Sequence, residues 1–347
     1  MINRFLFCFF FSSVSAYTSK ECSEDLHPTW MCDYMDTHNR NYSNRAEMIL
    51  RKSKLMSVRS IIQPSDTKVQ YGLTSRSDRF THEMKNNQPM KWNNHKLVER
   101  AIDDKHVHLG KAKLPPIDWR NHNGVSYVSS VKDQGVCGDC FAFASAAILE
   151  YWSVVNTGGY PKSLSAQNIM DCTSGNHRPN VGCEGGLMEY VFEYAQKHPV
   201  VLSMEFPYKE AQTHCPRHKL ISRVRVKDFK ILMQEEHPGT EDEFEAILHK
   251  YGPISVGIDS TKMENYRGGI FRASSCSTDI DHAVAIVGYT KRAWIIKNSW
   301  GTGWGENGYL RLERGTNACG VAEYAVYIKD GQAVHTRMPT TWYKNSD

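Results

Sequence analysis

Hydrophobic and polar positions follow different rhythms in successive stretches of the chain. Residues 5–11 form an unbroken apolar run. Residues 17–113 are polar, and within them 34–62 places Ile49, Leu50, Leu55, Met56, Val58, Ile61 and Ile62 at mixed three- and four-residue spacing. That spacing predicts one long amphipathic helix ended by Pro64. Past Pro115-Pro116 the pattern tightens. Phe143, Ala144, Ala147, Tyr151, Trp152 and Val155 predict a strong helix over 141–156, closed by Thr157-Gly158-Gly159. Further helices are expected over 187–197 and 241–251. From about residue 252 short β-rich runs at 253–258, 283–287, 294–296 and 309–312 alternate with Gly and Asn turns. Residues 331–347 are polar without a pattern and read as a tail. A helical half followed by a strand-rich half is an α+β architecture, with a cleft expected between the halves.

Charge and targeting refine this division. Arg4, the apolar run and the small residues Val14-Ser15-Ala16 have the form of a secretory signal peptide over 1–16, and no later stretch is long enough to span a bilayer. The expected destination is the secretory pathway, lysosomal or extracellular. A net charge of +4 is too small to argue for a nucleic-acid partner. Residues 17–113 carry 17 basic against 12 acidic side chains, and those from Leu114 onward 24 against 26. A basic front segment and a mildly acidic body are expected to dock. Lys111-Ala112-Lys113-Leu114-Pro115-Pro116 marks a polar, cleavable boundary at which no helix continues.

Candidate chemistry centres on one thiol. Of ten cysteines, Cys8 lies in the signal stretch, and nine remain. An odd number in a secreted chain leaves at least one unpaired, a candidate reactive group. Cys140 stands at the start of the strongest predicted helix, in Gln134-Gly-Val-Cys-Gly-Asp-Cys140-Phe141. There the unpaired N–H groups and the helix dipole favour thiolate. The local sequence leaves a disulfide through Cys140 open as well. His282, in Asp281-His282-Ala283, can supply a base. Asn298, sixteen residues on in Lys297-Asn-Ser-Trp-Gly-Thr-Gly-Trp-Gly305, can hold the imidazole in one tautomer. A zinc site is the competing reading of Cys and His together, but no paired Cys-x-x-Cys and His-x-x-x-His spacing occurs. No cofactor or metal is expected.

The Gln-x-x-x-Cys-Gly-x-Cys run, Asp-His-Ala, and Lys-Asn-Ser-Trp-Gly-x-Gly-Trp-Gly together resemble the papain family of cysteine peptidases, over Leu114 to about Tyr327. The resemblance implies a two-lobed fold, a helical left lobe and a β-barrel-like right lobe, spanning 114–330. It implies a catalytic set of Cys140, His282 and Asn298, and an oxyanion hole of Gln134 with the Cys140 backbone N–H. Trp300 would cover the His282–Asn298 hydrogen bond. The activity implied is cysteine-type endopeptidase through a thioester. No long insertion follows Cys172 of the kind found in cathepsin B-like enzymes. The same likeness pairs Cys137 with Cys183, Cys172 with Cys215 and Cys276 with Cys319, leaving Cys140 free and Cys22 and Cys32 unassigned. Substrate would lie along Gly185 and Gly186, with Leu187, Met188, Gly257, Ala283 and Tyr324 lining the pocket for the second residue upstream of the cut. Tyr324 is expected to shorten that pocket in favour of Val or Leu over Phe, unless it turns into the core.

The front segment resembles the family's inhibitory prosegment of the cathepsin L-like type. Glu47, Arg51 and Ile62 fall on one of its patterns and Gly72 and Asp78 on another, while Leu55, Val58, Asp66, Thr74 and Arg76 depart from them. The resemblance therefore implies a zymogen over 17–113, docked more weakly at acid pH as carboxylates protonate. Asn41-Tyr42-Ser43 is the glycosylation sequon. Expected partners are protein and peptide substrates, the chain's own propeptide and cystatin-like inhibitors, with the protein a monomer. Beside the nucleophile, Asp139 and Phe141 replace the family's usual Ser and Trp. These departures leave a catalytically silent papain-fold binding protein as the alternative.

Overall fold

The computed structural model describes residues 16–22, 28–62, 69–80, 83, 114–175, 178–216, 222–233 and 240–333. The stretch up to residue 15 expected as a signal peptide, Pro64 and Asp66, the expected boundary at Lys111–Lys113 and the expected tail beyond Ala333 lie outside the described residues.

In the front segment the single helix expected over 34–62 is two: α1 (Thr29–Thr37) and α2 (Arg45–Ile61). The break has local causes. Asn39 takes a left-handed φ of 48°. The Asn44 side chain accepts the Glu47 N–H at 3.0 Å while the Glu47 carboxylate accepts the Ser43 N–H at 2.8 Å, a capping box that starts a new helix. Met48, Leu55 and Val58 are buried, whereas Ile49, Leu50 and Met56 are exposed by 51–56%. Strand β1 (Val69–Tyr71) follows.

The body contains β2 (Ile117–Asp118), α3 (Cys140–Val155), α4 (Ala166–Thr173), α5 (Met188–Lys197), β3 (Val200–Val201), β4 (Ser222–Met233), α6 (Thr240–Tyr251), β5 (Ile254–Ile258), β6 (Tyr266–Phe271), β7 (His282–Tyr289), β8 (Ala293–Lys297), β9 (Tyr309–Glu313) and β10 (Tyr324–Ala333). Helix α3 is not amphipathic as expected: nearly every residue is buried, and only its last turn reaches solvent. The run of small residues Ala142, Ala144, Ala146 and Ala147 lets neighbours close on it from all sides.

The strands pair in the order β1-β6-β9-β8-β7-β5-β10-β4-β3, with β2 added on β7. All pairs are antiparallel except β6 with β9. Strand β10 reaches Ala333, which faces Val224 of β4, so the first three residues expected as tail belong to the sheet. The front segment joins the same sheet: β1 pairs with β6, Val69 opposite Gly269.

Two apolar cores meet along α3. One gathers Trp294, Trp300, Trp304, Tyr266, Phe244 and the inner residues of β5, β7 and β8. The other gathers Phe141, Phe143, Leu149, Met170, Phe192 and Tyr324. Helix α3 and strand β7 each contribute to both, through Ala147 and Val284 on one side and Phe141 and Ala283 on the other. The helical and strand-rich halves therefore share a seam, and the chemically suspect residues lie on it. A third small core of Met31, Tyr34, Met35, Tyr42, Met48 and Leu55 holds the front segment.

Candidate active site

Cys140 is the first residue of α3, as the position of the apolar run requires. It is the one free cysteine among the described residues, and it is buried. Its neighbour Cys137 is bonded to Cys183, which removes the local alternative of a disulfide through Cys140. Cys172–Cys215 and Cys276–Cys319 also form, and Cys22 pairs with Cys32 in the front segment.

His282 opens β7, opposite Ile258 of β5. Its Nε2 lies 2.8 Å from Oδ1 of Asn298. The same Oδ1 accepts the Ser299 N–H at 2.7 Å, so it is an acceptor and His282 Nε2 must carry the donated proton. Nδ1 is then the ring nitrogen that can take a proton, and it has no hydrogen-bond partner among the described residues. Trp300 stacks on the imidazole with ring centroids 4.8 Å apart and is only 2% exposed, closing that face to water. The backbone N–H of Ala283, next to His282, and that of Phe141 are directed at the Cys140 sulfur. Chain geometry thus brings the start of β7 to the start of α3.

Gln134 is fully buried and held on three sides. Its N–H donates to the Ser299 carbonyl at 2.9 Å, its Oε1 accepts the Ser299 hydroxyl, and its Nε2 donates to the Cys137 carbonyl at 2.9 Å. Ser299 thus links the loop before Cys140 to the loop that carries Asn298. Sequence reasoning did not single it out, although it sits inside the Asn-Ser-Trp run.

Gly185 and Gly186 follow the short turn at Gly182–Glu184 and are half-buried. Gly185 has φ +116°, a conformation closed to other residues. A Cβ on Gly186 would lie 2.5 Å from the Asn180 side chain and 2.9 Å from the Phe141 ring. Leu187, Met188, Ala283 and Tyr324 share one buried cluster, and Gly257 pairs with Ala283 across β5 and β7. Tyr324 is fully buried, and its hydroxyl donates to the Glu189 carboxylate on α5. Burial pushes the Glu189 carboxyl up to about 8. Asn41, the sequon residue, is exposed in the loop between α1 and α2.

Electrostatics reflect how deeply the pair is covered. Burial pushes the Cys140 thiol up to about 12, against the opposing pull of the Ala283 N–H, and Asp139 and Asp281 add to the rise. Burial pulls His282 down to about 4, and Arg76 pulls the same way. Arg76 belongs to the front segment, and its guanidinium lies 4.3 Å from the centroid of the Trp300 ring. Both shifts favour the neutral form of each group. A second feature missed in the sequence lies deeper. Glu150, in the middle of α3, meets Lys132 and Lys297 and accepts the Leu164 N–H at 2.8 Å and the Ser129 hydroxyl. An acid in an apolar helix was the available signal.

Residues 115–329 match the model of the papain family of cysteine proteases. The chain is 38% identical to cysteine endopeptidase Rep1 of Oryza sativa subsp. japonica, over 64% of this chain and 60% of that one, so the match spans about three fifths of that relative's length. It is 30% identical to cathepsin L of Sarcophaga peregrina, over 85% of this chain and 90% of that one. The structure of digestive procathepsin L 3 from the larval midgut of Tenebrio molitor superposes with a TM-score of 0.72 at 28% identity, covering 86% of this chain and 97% of that one. The front segment is part of that likeness, since a match of this length cannot be met by the body alone. With this fold, this free cysteine and these relatives, the chain belongs to the papain family of cysteine proteases, in its cathepsin L-like branch.

Proposed function

We propose that the chain is the precursor of a cysteine endopeptidase with Cys140 as nucleophile, His282 as acid–base and Asn298 as the residue that orients it. The observation that carries this reading is the tautomer. Asn298 holds the proton on Nε2 and leaves Nδ1 bare, on a histidine whose neighbouring N–H is directed at the only free sulfur among the described residues.

The steps follow from these atoms. Removal of the front segment hydrates the site, which reverses the burial that holds both groups neutral. The Cys140 proton passes to His282 Nδ1. The thiolate attacks the peptide carbonyl, and the oxyanion is met by the Cys140 N–H and Gln134 Nε2. One such donor is worth about 3 kcal/mol in the transition state. His282 returns its proton to the leaving amine, and water then hydrolyses the thioester with His282 as base. Trp300 keeps water from the His282–Asn298 bond throughout.

The extended substrate is held along Gly185 and Gly186, whose backbone comes close because neither carries a side chain. Leu187, Met188, Gly257 and Ala283 line the pocket for the second residue upstream of the cut; Tyr324 is turned into the core with its hydroxyl on Glu189, so the preference for Val or Leu over Phe does not follow from it. Residues 17–113 act as the inhibitory propeptide. β1 holds it on the edge of the sheet and Arg76 holds it over Trp300. Synthesis through the secretory pathway, to a lysosomal or extracellular site, fits this chemistry.

The test is labelling by an epoxysuccinyl inhibitor after acid processing. A single adduct on Cys140, absent in Cys140→Ser, is expected. Folded, processed protein that takes no label would favour the silent binding protein instead.

A further inference from the structure

Asp139 is a buried acid placed directly before the nucleophile, and the catalytic steps above do not use it. It is 0% exposed, and although it is the N-cap residue of α3 its side chain caps nothing. Oδ1 lies 2.8 Å from the Tyr208 hydroxyl, and Oδ2 has no partner among the described residues. The Tyr208 oxygen also lies 2.9 Å from the backbone carbonyl of Gln134. Tyrosine has one proton and faces two acceptors. One shared proton would leave both contacts weak; a second proton makes each a full hydrogen bond, and among the described residues the Asp139 carboxyl is the group placed to carry it. The chain then reads Asp139 O–H to Tyr208, and Tyr208 O–H to the Gln134 carbonyl.

We propose that Asp139 works as an un-ionised acid, a positioning residue that donates through Tyr208 to the backbone of the oxyanion-hole residue Gln134. The proposal rests on the endopeptidase reading for its catalytic meaning. The surroundings support it. Burial raises the carboxyl well above the ordinary range, and Asp171 on α4 and Glu210 in the loop that carries Tyr208 raise it further. Asp133, in the loop before Gln134, adds to the negative field at Tyr208, and Asp281, at the mouth of β7, adds to that at Cys140. No cation acts on the Asp139 carboxyl among these influences; the Tyr208 hydrogen bond and Asp139's own N–H are what oppose the rise.

Loss of the proton has two consequences. The new negative charge sits one residue from the sulfur and disfavours its thiolate. Tyr208 then turns its single proton to the carboxylate, the stronger acceptor, and the Gln134 carbonyl loses its donor. Activity therefore falls as pH rises through the Asp139 titration, an alkaline limit that a serine at this position cannot impose.

The experiment compares acid-processed wild type with Asp139→Asn and Asp139→Ser. It reads kcat/KM on a peptide substrate from acid to alkaline pH, and in parallel the rate at which iodoacetamide alkylates Cys140. Asn keeps an N–H donor for Tyr208 without a titrating group, and Ser supplies a fallback should Asn not fold. The expected result is acid-pH activity kept by Asn, which retains a donor, and lowered in Ser, which loses it, with an alkaline limb at least about one pH unit above wild type in both variants, roughly a tenfold relative advantage at the pH where wild type fails. Alkaline limbs that superpose in all three proteins would overturn the proposal. Should none of the three cleave peptide, the endopeptidase reading is what fails. The alkylation profile would still show whether residue 139 and Cys140 are coupled.

Discussion

Among the described residues of the front segment one small core of six buried side chains closes around α1 and α2, and the Cys22–Cys32 disulfide and polar contacts supply the rest. Arg40 reaches Asp78 at 3.2 Å, Tyr42 donates to the same carboxylate at 3.0 Å, and Arg51 bridges Glu47 and Glu83. The body is the reverse. Two large apolar cores and three disulfides carry it, and its principal buried charges, around Glu150, are enclosed in the seam. Contact between the two regions mixes backbone pairing with charge: β1 on β6, the Gly72 N–H to the Asn265 carbonyl at 3.0 Å, the Thr74 hydroxyl to the Glu264 carbonyl at 2.8 Å and the Ser77 hydroxyl to the Asn265 side chain at 2.8 Å, with Arg76 over Trp300 in the field of Glu264 and Asp133. The lesson concerns where acid acts. Docking through opposite charges was the expectation from sequence, and the body carboxylates Glu264 and Asp133 do act on Arg76, while a second set, Glu47, Asp78 and Glu83, lies within the front segment. Acid is expected to loosen that segment's own fold, and release from the body follows.

The comparison can be broken most forcefully from the body's side. Glu150→Ala leaves Lys132 and Lys297 without their buried partner and is expected to cost about 3–5 kcal/mol, measured by denaturant unfolding of the Cys140→Ser precursor. A loss below 1 kcal/mol would mean that the seam does not depend on this cluster. Burial alone would raise the Glu150 carboxyl, but the two lysines more than offset it and hold it below the usual range. Its contribution is therefore complete above the ordinary carboxylate pKa and fades as pH falls.

Next in size is Arg40→Ala. It removes the partner of buried Asp78 and is expected to cost about 2 kcal/mol, confined to the front segment. Proteolysis of residues 16–83 should quicken at neutral pH while the body stays resistant. A variant that loosens both regions equally would contradict the division.

Acid titration of the Cys140→Ser precursor comes third. Hydrogen bonds from Ser43, with Arg51 beside them, hold the Glu47 carboxyl below the usual range, so its contribution exists at neutral pH and is lost as pH falls. The front segment is expected to lose hydrogen-exchange protection below about pH 4.5 before the body does. Simultaneous loss would place the sensitivity elsewhere.

The smallest effect is on His282. Arg76→Phe takes away a cation that opposes imidazolium, and is expected to raise the His282 pKa in the precursor by less than about one unit, read by NMR. A fall would reverse the assigned sign.

Much of this was legible in the sequence where local chemistry and tertiary fold agree. Helix α3 ends as its glycines require, β7 and β8 sit within a residue or two of their apolar runs, and the Cys140, His282 and Asn298 motifs lie at the seam. The rest was hidden for physical reasons. Polar faces along β10 and β4 mask strands whose pairing partners are distant, Lys230 opposite Tyr327 for example. Helix α4 is a short buried segment of mixed polarity, so no period marks it. The break at 38–44 was written in asparagines, but the hydrophobic spacing on either side ran through it. Tyr208 carried no local sign, because its role exists only when the loop at 205–216 folds against Gln134 and Asp139.

Everything proposed for the site requires that the Cys140 sulfur be covalently acylated by its substrate with the help of His282. The direct measurement is acid-quench mass spectrometry of processed protein mixed with a peptide ester. One acyl group is expected on the peptide that carries Cys140, absent in Cys140→Ser and strongly reduced in His282→Ala. Peptide cleavage by a chain whose Cys140 stays unmodified through turnover, or is blocked without loss of activity, would contradict it.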